Sequence, residues 1–298
     1  MYMQKMINQF EGIYPAAITP FEEDETLDEL KLIDFLDFLI DGNVHGIYLL
    51  GTNGEAPLLD MEEKKRVIEL AVEHVDGRVP IIAGTMCNST KKTIALSRWA
   101  EEKGADGVHA IIPYYFPSPR KSLVKHFKDI AKEISLPIFI YSIPQRTGND
   151  LDMVTLKELS KIDNVAALKD SSGYLAFFYS AVEEINDLQF FGGNDSLIYS
   201  YLTMGGSGAV TAAGNAFPEL VSSIYDHFVK GEFQKAKEAQ DKVLRISNAM
   251  KKGPYLSGVK AALKLKGLDF GEVRKPLEPF SKEETTLLKK ELNDLGLL

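Results

Sequence analysis

The sequence predicts an α/β fold: a (β/α)8 TIM barrel with a small C-terminal helical segment. Eight short apolar runs begin at positions 13, 46, 79, 107, 137, 165, 189 and 208, and a segment of helical periodicity follows each. Regular alternation of strand and helix demands a parallel sheet. Eight such units without an uncoupled edge strand favour closure into a barrel over an open doubly wound sheet. The length of 298 residues is ordinary for that architecture. The runs are short and almost purely apolar, as strands buried on both faces should be.

Residues 13–20 form a small apolar strand closed by Pro20, and an acidic loop runs from Phe21 to Leu27. Residues 28–41 are an amphipathic helix whose apolar positions are Leu30, Ile33, Leu36, Phe38 and Leu39, stopped by Gly42-Asn43. Strand 46–50 ends in Gly51-Thr52-Asn53-Gly54-Glu55. In the helix over 60–75, Asp60 stands as N-cap and Glu63 at the capping-box position. Strand 79–84, a helix from 88–90 to 103, strand 107–113 and a helix over 119–134 come next. Strand 137–143 leads through Pro144-Gln145-Arg146-Thr147-Gly148 to a helix from Asp152. Strand 165–169, helix 174–185, strand 189–191, helix 196–204, strand 208–213 and helix 218–230 complete the barrel. After Gly231 the strand signal ends, and 232–251, 256–266 and 282–295 read as helices. The division is thus a barrel domain over 1–230 and a helical C-terminal domain over 231–298.

Composition excludes several classes of function. A formal net charge of −9 is wrong for a nucleic-acid partner, which wants a basic patch. No apolar run approaches a membrane span, and residues 1–12 lack a signal-peptide core, so the expected location is the cytoplasm. The single cysteine, Cys87, permits no internal disulfide. Histidines 45, 74, 109, 126 and 227 show no metal-ligand spacing, so no metal site is expected from them. Gly205-Gly206-Ser207-Gly208 precedes a strand, so it is a tight connection and not a phosphate loop.

The chemistry centres on Val165-Ala166-Ala167-Leu168-Lys169, an apolar run that ends in a lysine. A lysine at the end of a buried strand is costly to keep charged, so burial lowers its pKa and frees the amine as a nucleophile. The structural alternative is a lysine that snorkels to water or pairs with Asp170. Barrel active sites lie at the C-terminal ends of the strands. That rule brings Lys169, Tyr141, Thr52, Tyr115 and Arg146 to one mouth, though each taken singly could be a rim or turn residue. An unprotonated amine condenses with a ketone to an iminium, an electron sink for an adjacent carbanion. A tyrosine and a threonine can shuttle the protons. The backbone amides of Gly51-Thr52-Asn53-Gly54 can hold the carboxylate of a 2-oxo acid.

Gly51-Thr52-Asn53-Gly54-Glu55, Tyr141-Ser142-Ile143-Pro144-Gln145-Arg146-Thr147-Gly148 and Leu168-Lys169-Asp170-Ser171-Ser172-Gly173 resemble the dihydrodipicolinate synthase / N-acetylneuraminate lyase family, in order and spacing. Ala83-Gly84-Thr85 and Pro113-Tyr114-Tyr115 also fit. The resemblance implies Schiff-base chemistry on pyruvate without metal or cofactor, in a homotetramer. It implies Lys169 as the Schiff-base lysine and Tyr141 as the proton-transfer tyrosine. Thr52 and Tyr115 complete the relay, with Tyr115 reaching in from a neighbouring subunit. Asn53 and Gly54 belong to the carboxylate-binding turn, Val210 lies beside the ketoacid, and Arg146 binds a carboxylate on the aldehyde partner. Dihydrodipicolinate synthase, acting on pyruvate and aspartate semialdehyde, is the first expectation. Asn53 in place of a second threonine resembles instead the 4-hydroxy-2-oxoglutarate aldolases, and Lys169-Asp170-Ser171-Ser172 the 2-keto-3-deoxygluconate aldolases as well. The expectation from another class is a ketoacid-binding regulator that has kept the barrel without turnover.

Overall fold

A computed structural model describes residues 10–298. The N-terminal stretch in which the sequence shows no signal-peptide core lies mostly outside the described residues. Eight strands form one parallel sheet: β1 (Gly12–Pro15), β2 (Ile47–Tyr48), β3 (Ile81–Gly84), β4 (Gly107–Ile111), β5 (Ile138–Ser142), β6 (Val165–Asp170), β7 (Gln189–Gly192) and β8 (Gly208–Thr211). Ladders join neighbours from β2 round to β8, and β8 pairs with β1. The last seam is closed by a parallel bridge between Ala16 and Tyr48 and by the amides of His45 and Ala17, which donate to Ile13 O and Tyr48 O. The strand–helix alternation thus yields the barrel that the sequence predicts.

The barrel helices follow their strands: α1 (Glu29–Asp41), α2 (Met61–Val75), α3 (Thr90–Lys103), α4 (Arg120–Ala131), α5 (Met153–Leu159), α6 (Leu175–Glu184), α7 (Ile198–Thr203) and α8 (Pro218–Val229). The capping box at Asp60 and Glu63 is formed reciprocally. Three C-terminal helices, α9 (Phe233–Met250), α10 (Tyr255–Leu265) and α11 (Lys282–Asp294), complete the chain. No helix among the described residues is long and apolar enough to cross a membrane.

Two details depart from expectation. In α1 the buried residues are Leu32, Phe35, Leu36 and Leu39, and Leu30 is 76% exposed. Apolar residues crowd this helix so densely that the period alone does not fix its inward face. The Pro144–Thr147 stretch is a single helical turn ahead of α5, because Pro144 presets the first position and Gly148 closes it with φ 70°.

The core has two parts. A large apolar layer lies between strands and helices. A smaller cluster, including Tyr14, Tyr48, Phe139, Ala167, Phe191 and Val210, fills the barrel interior. Successive strand residues point to opposite faces. With Phe139 and Ala167 inside, Tyr141 and Lys169 must also point inward. The β5–β6 register sets Phe139 beside Ala167 and Tyr141 beside Lys169. Strand geometry alone therefore makes the lysine and the tyrosine neighbours.

Candidate active site

Lys169 closes the floor of a cavity of about 240 Å³ at the C-terminal mouth of the barrel. It is buried at 3% exposure, so its stem does not reach bulk water. Its ammonium nitrogen lies 3.9 Å from the centroid of the Tyr141 ring and 4.3 Å from that of Tyr48. Asp170 is not its counter-ion. That carboxylate accepts from the amide and the hydroxyl of Ser172, at 2.9 and 3.0 Å. No carboxylate among the described residues forms an ion pair with Lys169. Desolvation lowers the amine from 10.5 to about 7, with Asp195 opposing the shift from a distance. Both structural alternatives for Lys169, snorkelling and pairing with Asp170, are absent.

The Tyr141 hydroxyl lies 3.1 Å from Thr52 Oγ1. Burial raises the Tyr141 pKa, and the hydroxyls of Thr52 and Ser171 and the charge of Arg146 act against that rise. Tyr141 therefore keeps its proton at neutral pH while touching a second hydroxyl that can relay it. Tyr141→Phe is expected to lower kcat by about 10²- to 10⁴-fold. An unchanged melting temperature beside that loss would assign the effect to chemistry, and an unchanged kcat would remove the hydroxyl from the reaction.

Thr52 and Asn53 stand in the turn between β2 and α2, and both line the cavity. Left-handed residues bracket this turn, Leu50 with φ 51° and Glu55 with φ 53°. Among the described residues the amides of Thr52 and Asn53 donate to no protein acceptor, which leaves them for an anion. Gly54 does not line the cavity. Its carbonyl accepts from Thr19 Oγ1 at 2.7 Å, and a Cβ there would sit 2.9 Å from Ala17 O. Gly54 thus shapes the turn from beneath. Val210 lines the cavity from β8, and Arg146 lines it from the helical turn after β5. Arg146 is exposed and makes no ion pair among the described residues.

Tyr115 stands apart from these. It is 83% exposed, has φ 76°, and packs only edge-on against Phe116, with ring centroids 5.0 Å apart. Within one chain it does not reach the cavity. Thr85, at another strand end, is buried and donates to His109 O, so it supports the strand.

The sequence reasoning missed several cavity or floor residues. Tyr48 looks like an ordinary strand aromatic, yet it stacks on His109 at 3.8 Å and faces Lys169. Burial holds His109 well below its ordinary value, so it is neutral, and its Nε2–H donates to Leu49 O. Gln145 donates to Ser171 O at 2.7 Å and ties two cavity-lining segments together. Tyr255 and Lys251 come from the C-terminal helices. The Tyr255 hydroxyl donates to Asp195 Oδ2 at 2.6 Å. No signal in the local sequence points from a helix in that segment to a strand end of the barrel.

The model of the dihydrodipicolinate synthetase family matches residues 9–295. An uncharacterized DapA-like lyase of Halobacterium salinarum is 40% identical over 287 residues, covering 96% of this chain and 94% of that protein. The 4-hydroxy-tetrahydrodipicolinate synthase of Methanocaldococcus jannaschii is 38% identical over 290 residues, covering 97% and 100%. Among solved structures, the prophage protein YagE of E. coli K12, of the dihydrodipicolinic acid synthase family and solved in complex with pyruvate, superposes with a TM-score of 0.93. It is 31% identical, with 97% of this chain and 99% of that one covered. A match over nearly the whole length, with the fold reproduced, settles the family: this chain is a lyase of the dihydrodipicolinate synthetase family.

Proposed function

We propose that the protein is a class I lyase that activates pyruvate as a Schiff base on Lys169 and joins it to aspartate semialdehyde, the reaction of a 4-hydroxy-tetrahydrodipicolinate synthase. The observation that carries this reading is the buried, unpaired Lys169 amine lying against Tyr141. The amine attacks the ketone carbon of pyruvate, water leaves, and the iminium forms. Loss of a methyl proton gives the enamine, whose carbon attacks the aldehyde carbon while the aldehyde oxygen takes up a proton, and attack of the semialdehyde's own amine on the iminium carbon then displaces Lys169. Tyr141 and Thr52 pass the protons, and the amides of Thr52 and Asn53 hold the pyruvate carboxylate. Arg146 takes a carboxylate on the aldehyde. In a homotetramer the exposed, left-handed Tyr115 of a neighbour joins the relay. Named synthases among the relatives and the pyruvate complex of YagE support the choice of substrates.

Imine formation needs the neutral amine. Its fraction rises with pH, so kcat/KM for pyruvate is expected to climb about tenfold per unit up to about 7 and then level off. A flat profile between pH 5 and 8 would mean that the amine is not the titrating nucleophile.

Asn53 favours a second reading, an aldolase that cleaves 4-hydroxy-2-oxoglutarate to pyruvate, and Lys169-Asp170-Ser171-Ser172 extends that reading to 2-keto-3-deoxygluconate. The deciding assay compares semialdehyde-dependent consumption of pyruvate with release of pyruvate from the two sugar acids. Condensation with semialdehyde at the higher kcat/KM supports the synthase, and faster cleavage selects the aldolase.

A further inference from the structure

The charges around the cavity are out of keeping with the rest of the chain. The protein carries 43 acidic residues against 34 lysines and arginines. Yet among the described residues three basic side chains line this one cavity, Lys169, Arg146 and Lys251, against a single carboxylate, Asp195. Asp195 neutralises none of them by contact. It is buried, its Oδ1 accepts from the Ala212 amide at 2.9 Å, and its Oδ2 accepts from the Ala213 amide at 3.0 Å and the Tyr255 hydroxyl at 2.6 Å.

Lys251 stands at the C-terminal end of α9, where the helix dipole favours a cation. The adjacent Lys252 would serve the dipole equally well, but it does not border the cavity. Lys251 does, with its ammonium 5.5 Å from the centroid of the Tyr255 ring that Asp195 fixes. Neither Lys251 nor Arg146 has an ion-pair partner among the described residues. Two unpaired cations at one mouth repel each other until an anion joins them.

We propose that Lys251 joins Arg146 in one anion subsite at the mouth and so helps to select an aldehyde that bears a carboxylate or phosphate. This rests on the Schiff-base reading above, and it adds a specificity residue from the C-terminal helices. A neutral sugar aldehyde would leave both cations unmatched. Lys169, at the floor, is separate because its amine is the nucleophile.

The test uses the full-length enzyme with pyruvate and four aldehydes: aspartate semialdehyde, glyoxylate, glyceraldehyde 3-phosphate and uncharged glyceraldehyde. Lys251→Met is expected to raise KM about tenfold for the anionic aldehyde that the wild type uses best, the effect of one lost charge-assisted contact. Lys251→Arg should restore it to within about twofold. The KM values for pyruvate and glyceraldehyde should move less than about twofold, because neither reaches this pair. Added salt should raise the anionic KM in the wild type and leave that of glyceraldehyde unchanged. Whether carboxylate or phosphate aldehydes lose more identifies the anion. Equal losses for charged and uncharged aldehydes, no loss at all, or a wild type that prefers glyceraldehyde would each overturn the subsite. Borohydride trapping of pyruvate on the Lys251→Met enzyme separates the two levels. A trapped adduct with an unaltered aldehyde KM rejects the subsite alone, and no adduct on the wild type rejects the Schiff-base reading with it.

Discussion

Lys169→Ala is expected to cut turnover by at least about three orders of magnitude, because among the described residues no second amine stands at the cavity floor to replace it. The same residue should be felt in stability, with the opposite sign. In the folded protein its amine titrates at about 7, against an ordinary 10.5. Between those values the unfolded chain binds more protons, so wild-type stability rises with pH across that window. Below about 7 the buried charge costs stability in full. Lys169→Met keeps most of the stem volume and removes the charge. It should be no less stable than wild type near neutrality, and it should lack that pH-dependent rise. A melting temperature that falls sharply in Lys169→Met would mean that the lysine is a structural element of the barrel floor.

Breaking the Glu55–Lys260 pair is expected to have the largest effect on stability. The pair spans 3.0 Å, with side-chain exposures of 0% for Glu55 and 2% for Lys260. Lys260 also donates to Thr19 O and Glu272 O, at 3.0 and 2.8 Å, and the Arg274 amide donates to Glu55 Oε2 at 2.8 Å. Arg274 grips Glu63 with both guanidinium arms and so extends the lock to α2. Lys260→Met leaves the Glu55 carboxylate buried without its cation. The cost should be about 3–5 kcal/mol, or about 5–10 °C in Tm. Glu55 also ends the turn that carries Thr52 and Asn53, so KM for pyruvate should rise with little change in that for the aldehyde. The double variant Glu55→Gln/Lys260→Met should lose less than the sum of the single losses, as a coupled pair does. Additive losses, or an unmoved KM, would separate the pair from the turn.

The barrel was legible because its strands are buried on both faces and several of its helices open on side-chain caps. Asp60 and Ser89 cap α2 and α3 as their side chains suggest. Lys169 was legible because a charge that ends an apolar run is conspicuous. The β5–β6 register then brings Tyr141 to it, a step that needs only the two-residue period of a strand. What depends on distant packing was hidden. Glu55 reads as one more turn residue until Lys260, 205 positions later in the chain, is found against it. Tyr48 differs from a core aromatic only through its neighbours His109 and Lys169. Lys251 reads as a solvated helix end, and only the docking of the C-terminal helices on Asp195, through Gln240 and Tyr255, carries that region to the cavity. Gly54 was placed among the binding residues by its position in the turn, whereas the close approach of Ala17 O accounts for it from below.

Imine formation between the Lys169 amine and pyruvate is tested by borohydride reduction in the presence of pyruvate, followed by peptide mass spectrometry on wild type and Lys169→Ala. A reduced pyruvyl adduct is expected on the peptide that holds Lys169, and none in the variant. An adduct on another lysine, or none on the wild type under turnover conditions, would contradict it.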